Sequence, residues 1–84
     1  MTKEQIYQGI VAGILDVLDG LSEEDIQLAS DLKTLGANSL DRAEIIEELL
    51  DQWGLDIPML AFAETRTVQD LQDVFWEHSK SLQA

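Results

Sequence analysis

Leu35-Gly36-Ala37-Asn38-Ser39-Leu40-Asp41 is where a loop turns into a long acidic helix, and the rest of the chain is organised around it. Gly36 permits a tight turn that a residue with a Cβ resists. Asn38 and Ser39 are both good N-cap residues, so one of them should accept a hydrogen bond from the first helical turn. Asp41 and Glu44 then place negative charge near the positive end of the helix dipole. Two readings of Ser39 follow. In one it belongs to a capped helix start and does nothing more. In the other its hydroxyl stands exposed at a helix N-terminus, a place suited to carrying an attached phosphate.

Downstream, the spacing predicts a helix from about Ser39 to about Trp53, with Gly54 as its stop. Ile46, Leu49 and Trp53 recur at three and four residues and make its core stripe, with Ile45 at the edge. Glu44, Glu47, Glu48 and Asp51 share the outer side. Between Asp41 and Asp56 there are six acids and one base, Arg42. Pairs such as Glu44 with Glu48 repel by about 0.2–0.5 kcal/mol each. So one-sided a surface is either a solvated face or a docking surface for a basic partner.

Upstream, Thr2-Lys3-Glu4-Gln5 reads as a capping box. Ile6, Ile10, Ile14 and Val17 fall on one helical face, flanked by Tyr7, Val11, Leu15 and Leu18. Gly9 and Gly13 each cost about 1 kcal/mol relative to alanine in a helix, which close approach of a neighbouring helix would explain. Gly20 is placed to end this helix in a left-handed conformation. Residues 19–38 form a long connection, with a short helical turn at Ser22-Glu23-Glu24-Asp25. Ile26, Leu28, Leu32 and Leu35 are expected to pin it to the core, with Asp31 and Lys33 outside. Beyond Gly54, Pro58 holds Ile57 extended, and residues 59–64 are expected to form one short helix. Thr67-Val68-Gln69-Asp70 starts a last helix whose inner face is Val68, Leu71, Val74 and Phe75, with Trp76 at its edge. Residues past about Lys80 should fray.

Eighty-four residues make one small domain, 1–84, with 45% hydrophobic content and no cysteine. That composition supports a folded core and excludes a disulfide framework or thiolate metal site. The longest apolar run, residues 10–15, is too short to span a membrane, no signal peptide precedes it, and a cytoplasmic monomer is expected. A net charge of −12 argues against nucleic acid and anionic membranes as partners. A protein with a basic docking surface would instead be steered toward this chain.

Catalysis by Ser39 would need a base to take its proton. The single histidine, His78, falls near the far end of the last helix, where it should face solvent. No alternating calcium-loop pattern is present. Ser39 therefore reads as a substrate for another protein's chemistry, and the chain as a non-enzyme.

From about Asp31 to about Phe75 the sequence resembles the acyl carrier proteins. Asp31-Leu32, Leu35-Gly36-Ala37, Ser39-Leu40-Asp41, Glu44, Ile57-Pro58 and Thr67-Val68 carry the resemblance. It implies an all-α, antiparallel four-helix bundle of three major helices and one short one. It also implies that Ser39 receives 4′-phosphopantetheine from a phosphopantetheinyl transferase and holds acyl groups as thioesters. An acyl-loading enzyme, and a ketosynthase or an HMG-CoA-synthase-like enzyme, would be further partners. Leu40, Ala43 and Glu47 match outward positions of the family's recognition helix, with Asp41, Glu44 and Glu48 around them. Asn38 stands where fatty-acid carriers usually have aspartate, Arg42 is an unusual base, and Leu50, Met59 and Leu60 occupy commonly acidic positions. These apolar side chains either complete a small core or form a patch continuous with Leu40 and Ala43. Residues 38–44 look most like free-standing polyketide carriers, in particular acetyl donors to β-branching enzymes. A fatty-acid carrier, a peptidyl carrier of nonribosomal peptide synthesis, or an acidic adaptor in which Ser39 is only a cap are the alternatives.

Overall fold

The computed structural model describes residues 1–82, with side chains described through Lys80. Four α-helices form in chain order: α1 (Lys3–Val17), the single-turn α2 (Leu32–Leu35), α3 (Ser39–Trp53) and α4 (Val68–Leu82). Two 3₁₀ turns, Glu23–Asp25 and Met59–Phe62, punctuate the connections. This is the all-α bundle the sequence leads one to expect, and no strand occurs among the described residues. No helix of the described residues is long and apolar enough to cross a membrane.

Local chemistry explains most of the boundaries. The Thr2 hydroxyl accepts from the Gln5 amide at 3.1 Å and the Gln5 side chain accepts from the Thr2 amide at 2.9 Å, closing the expected box on α1. Thr67 and Asp70 do the same for α4: the Asp70 amide donates to Thr67 Oγ1 and the Thr67 amide to Asp70 Oδ2, both at 3.1 Å. The Arg66 amide also reaches Asp70 Oδ2 at 2.9 Å. These backbone donors, Arg66 first, hold the Asp70 carboxyl below the usual carboxylate range. α3 ends at Gly54, which is left-handed (φ 63°) and returns its amide to Asp51 and Leu50.

Gly20 departs from expectation. α1 stops at Val17 on an extended Leu18, so the left-handed Gly20 (φ 82°) shapes the turn beyond the helix instead of capping it. The stretch after Pro58 is a 3₁₀ turn, not an α-helix, with Ala61 bonded back to Pro58 and Ala63 to Leu60. α2, inside the long connection, was not foreseen. At the C-terminus α4 continues to Leu82, past the expected fraying point, and residues 83–84 of that expectation lie outside the described residues.

α1 packs against both α3 and α4. Ile6, Ile10 and Ile14 meet Ile45, Ile46 and Leu49 of α3 and Val68, Leu71 and Phe75 of α4 in one buried cluster. Ile45, expected at the edge, is wholly buried because α1 lies against that side: Gly13 faces Ile45 and Leu49. Gly9 faces the indole of Trp53 so closely that a Cβ would meet it at 2.3 Å. Close approach thus accounts for Gly9, whereas a Cβ at Gly13 would meet Ile45 and Leu49 at ordinary contact distances. Trp53 and Phe75 form a T-shaped pair (centroids 5.1 Å apart, 89°), and Phe75 in turn packs at a tilt on Phe62 (centroids 5.1 Å apart).

The long connection is stitched to the start of α4 by backbone bonds. Leu32 N donates to Arg66 O (2.9 Å), Val68 N to Ser30 O (3.0 Å) and Gln69 N to Leu28 O (2.9 Å), around an isolated Asp31–Thr67 bridge. Ile26 and Leu32 anchor this connection in the core as expected, while Leu28 remains exposed. The main-chain bonds at Gln69 hold residue 28, so its side chain is not required to.

Candidate functional site

Ala37 is buried and fixes the turn, Gly36 takes φ 109° at the end of α2, and the chain then enters α3 through an extended Asn38. Asn38, not Ser39, is the cap. Its Oδ1 accepts from the Asp41 amide at 2.8 Å, and Asp41 Oδ2 accepts from the Asn38 amide at 3.1 Å. Asp41 is therefore half-buried and engaged with its own helix end, leaving Ser39 as the first helical residue. The Ser39 side chain is exposed and its hydroxyl makes no hydrogen bond among the described residues. Ser39 is thus not the residue that caps α3.

Around it, Leu40 is 78% exposed and Leu60 83%, with Met59 at 40%. Glu44, Glu47 and Glu48 are exposed and Ala43 is half-buried. Leu50 separates from this group: it is half-buried and packs on the core. Leu40 on α3 and Met59 and Leu60 on the 3₁₀ turn are, with Leu28, the exposed large hydrophobics among the described residues.

Arg42, grouped by the sequence with the partner-facing residues, is engaged inside the fold. Its Nη2 donates to the Phe62 carbonyl and to Thr65 Oγ1, and Thr65 Oγ1 donates to the same carbonyl at 2.6 Å. Its Nε is buried with no hydrogen-bond partner among the described residues. The guanidinium is a strut from the first turns of α3 to the segment that follows Met59 and Leu60. An arginine suits this because its planar fork presents several donors to neighbouring oxygens at once.

Beside Ser39 opens a groove of about 630 Å³, lined in part by Lys33, Asn38, Arg42, Thr65 and Arg66. Sequence reasoning missed the groove and singled out neither Thr65 nor Arg66. The available signal was scarcity: with five basic residues in the chain, three gather here. His78 is remote from this site, on the last turns of α4. It is half-buried, not solvent-facing, with Nδ1 3.0 Å from the Val74 carbonyl.

An exposed, unpartnered hydroxyl lining a groove that also carries Lys33, Arg42 and Arg66 fits a covalently attached phosphate ester. Comparison with known proteins bears on the attached group. Residues 8–75 match the family described as the phosphopantetheine attachment site. The chain is 31% identical over 81 residues to the polyketide biosynthesis acyl-carrier-protein AcpK of Bacillus subtilis (strain 168), covering 96% of this chain and 99% of that protein. It is 30% identical over 82 residues to an acyl carrier protein of Cyanidioschyzon merolae (98% and 90% covered). With an acyl carrier protein of Syntrophus aciditrophicus it shares 36% over 68 residues (81% and 85% covered).

Proposed function

The chain belongs to the phosphopantetheine-attachment family of acyl carrier proteins, and from that premise we propose that Ser39 is its attachment residue and that it serves a polyketide pathway. The observation that carries the assignment is the free, exposed hydroxyl of Ser39 in a helix start already capped by Asn38. Capping by a neighbour leaves the serine oxygen available without loosening the helix. When bound, 4′-phosphopantetheine supplies the thiol that carries an acyl group. Residues 1–84 act as one carrier domain, a monomer that is worked on by other enzymes.

The other residues present the serine. Glu44, Glu47 and Glu48 give the outer side of α3 a field that speeds encounter with basic partner surfaces. Leu40, Met59 and Leu60 supply the apolar contacts that set the lifetime of the complex. Partners of this surface are a phosphopantetheinyl transferase, an acyl-loading enzyme and a condensing enzyme. The polyketide assignment draws support from the similarity to AcpK along nearly the whole length of both chains. Within it, the finer reading is a donor carrier for an HMG-CoA-synthase-like β-branching enzyme, drawn from Asn38, Arg42 and the apolar Met59-Leu60 pair.

Incubation with a broad-specificity transferase and coenzyme A, read by intact mass, tests the assignment. One phosphopantetheine should be added to wild type and none to Ser39→Ala. Because Ser39 is not the cap, the variant should keep its stability. An unmodified wild type, or a labelled variant, refutes Ser39 as the site.

A further inference from the structure

Basic side chains are scarce in this molecule and unevenly placed. Of five lysines and arginines, three line the groove that holds Ser39: Lys33, Arg42 and Arg66. Asp31 is the single acid on its wall. That carboxylate is turned onto its own helix end, where Oδ1 accepts from the amides of Lys33 (2.8 Å) and Thr34 (3.4 Å). Asp70, whose field Arg66 also feels, is likewise occupied by the Arg66 and Thr67 amides. Among the described residues neither Lys33 nor Arg66 closes a salt bridge.

The main chain fixes where these cations stand. Leu32, next to Lys33, donates its amide to the carbonyl of Arg66 at 2.9 Å, so α2 and the approach to α4 meet at that point. Arg42 ties the third side down through the Phe62 carbonyl and Thr65 Oγ1. Three cationic groups thus converge beside a serine in a protein of net charge −12. α3, which starts at that serine, carries the exposed Glu44, Glu47 and Glu48, none of which lines the groove.

This inference rests on Ser39 carrying the arm. The linkage to the serine is then a phosphodiester, a group that keeps one negative charge at neutral pH. We propose that the groove of Lys33, Arg42 and Arg66 holds this phosphodiester, so that the arm leaves the protein over α2 and the start of α4. Like charge turns it from the acidic flank of α3, and the cations offer charge-assisted hydrogen bonds on the other side. The acidic face then stays clear for basic partners while the arm is docked. Because Lys33 and Arg66 are exposed, the docking is sensitive to salt.

The test is magnetic resonance on the apo protein and on protein loaded by a transferase and coenzyme A, at low ionic strength, with loading verified by intact mass. On loading, the side-chain nitrogen signals of Lys33 and Arg66 should shift, together with the amides of Leu32 and Thr65. The ³¹P line should move when salt is raised to about 0.5 M, where the screening length is only a few ångströms. In a Lys33→Gln, Arg66→Gln double variant, ³¹P should already sit at its high-salt position. Loss of loading at Ser39 in wild type would remove the attachment reading itself. A loaded wild type whose shifts stop at residues 38–41 overturns the groove and leaves attachment standing. A ³¹P line identical in wild type and the folded double variant does the same.

Discussion

Replacing Gly9 and Gly13 separately by alanine should give opposite results, although both lie in the middle of α1. On propensity alone each change favours the helix by about 1 kcal/mol. At Gly9 the new Cβ would fall 2.3 Å from Trp53 Cζ2 and 2.9 Å from Cη2. The indole is rigid and must move to relieve this, yet it is held in a T-shaped pair with Phe75, ring centroids 5.1 Å apart. Overpacking of this kind costs about 1–3 kcal/mol, and disturbing an aromatic pair about 0.5–1.5 kcal/mol more. Net destabilisation of about 1–3 kcal/mol should remain after the propensity gain. At Gly13 the Cβ would meet Ile45 Cγ2 at 3.4 Å and Leu49 Cγ at 3.9 Å, which a shift of a few tenths of an ångström accommodates. That variant should be neutral or up to about 1 kcal/mol more stable. Urea unfolding followed by far-ultraviolet circular dichroism measures both, and tryptophan emission of the native state should change only for Gly9→Ala. Equal or greater stability for Gly9→Ala, or the same loss at both positions, would refute the packing argument.

Further expectations concern charge and docking. Asp16 holds the Glu48 carboxyl above its ordinary value of 4.5, first through a side-chain hydrogen bond and then by like charge, with burial and Glu44 adding to it. A raised folded-state value means that stability from this proton is present below the unfolded value and lost as pH rises through the folded one. Glu48→Gln should therefore melt higher than wild type at neutral pH, by a margin that shrinks toward pH 4 and with added salt; a margin independent of both would discount the repulsion. Met59→Glu and Leu60→Glu should load normally but bind a β-branching synthase more weakly, by about 1–2 kcal/mol for each lost anchor. Unchanged affinity in calorimetry would remove the 3₁₀ turn from the docking surface.

Much of this was legible in the sequence because punctuation is local. Asn38 and Gly54 mark both ends of α3 where they stand, and the Thr2 and Thr67 boxes need only residues three positions away. What could not be read depends on what lies opposite. Ile45 has the same place in the α3 pattern whether or not α1 covers it, and only the approach at Gly13 decides its burial. Gly20 suits a left-handed helix end, but nothing nearby in the sequence says that α1 lets go at Val17. Arg42 looked like a surface charge because its partners, Phe62 and Thr65, lie beyond the end of α3 and follow no helical period. The Ser39 motif was visible; the groove beside it was not, since Lys33 and Arg66 become neighbours only through the pairing of Leu32 with Arg66.

That pairing also bears on the order in which the molecule assembles. Residues 28–32 and 66–69 are separated by the whole of α3, so joining them closes a long loop whose entropy must be met first. Helices form locally and their apolar faces can collapse early, whereas this set of main-chain bonds gains its reward only once the intervening chain is compact. Contacts made late stabilise the folded molecule chiefly by slowing its unfolding. On this order they should also be the first to open from the native side, as a partial unfolding that leaves α1 against α3. The amides of Leu32, Val68 and Gln69 should then exchange with solvent faster than those of Ile10 and Ile14; equal protection would mean that the attachment end and the helical core come apart together.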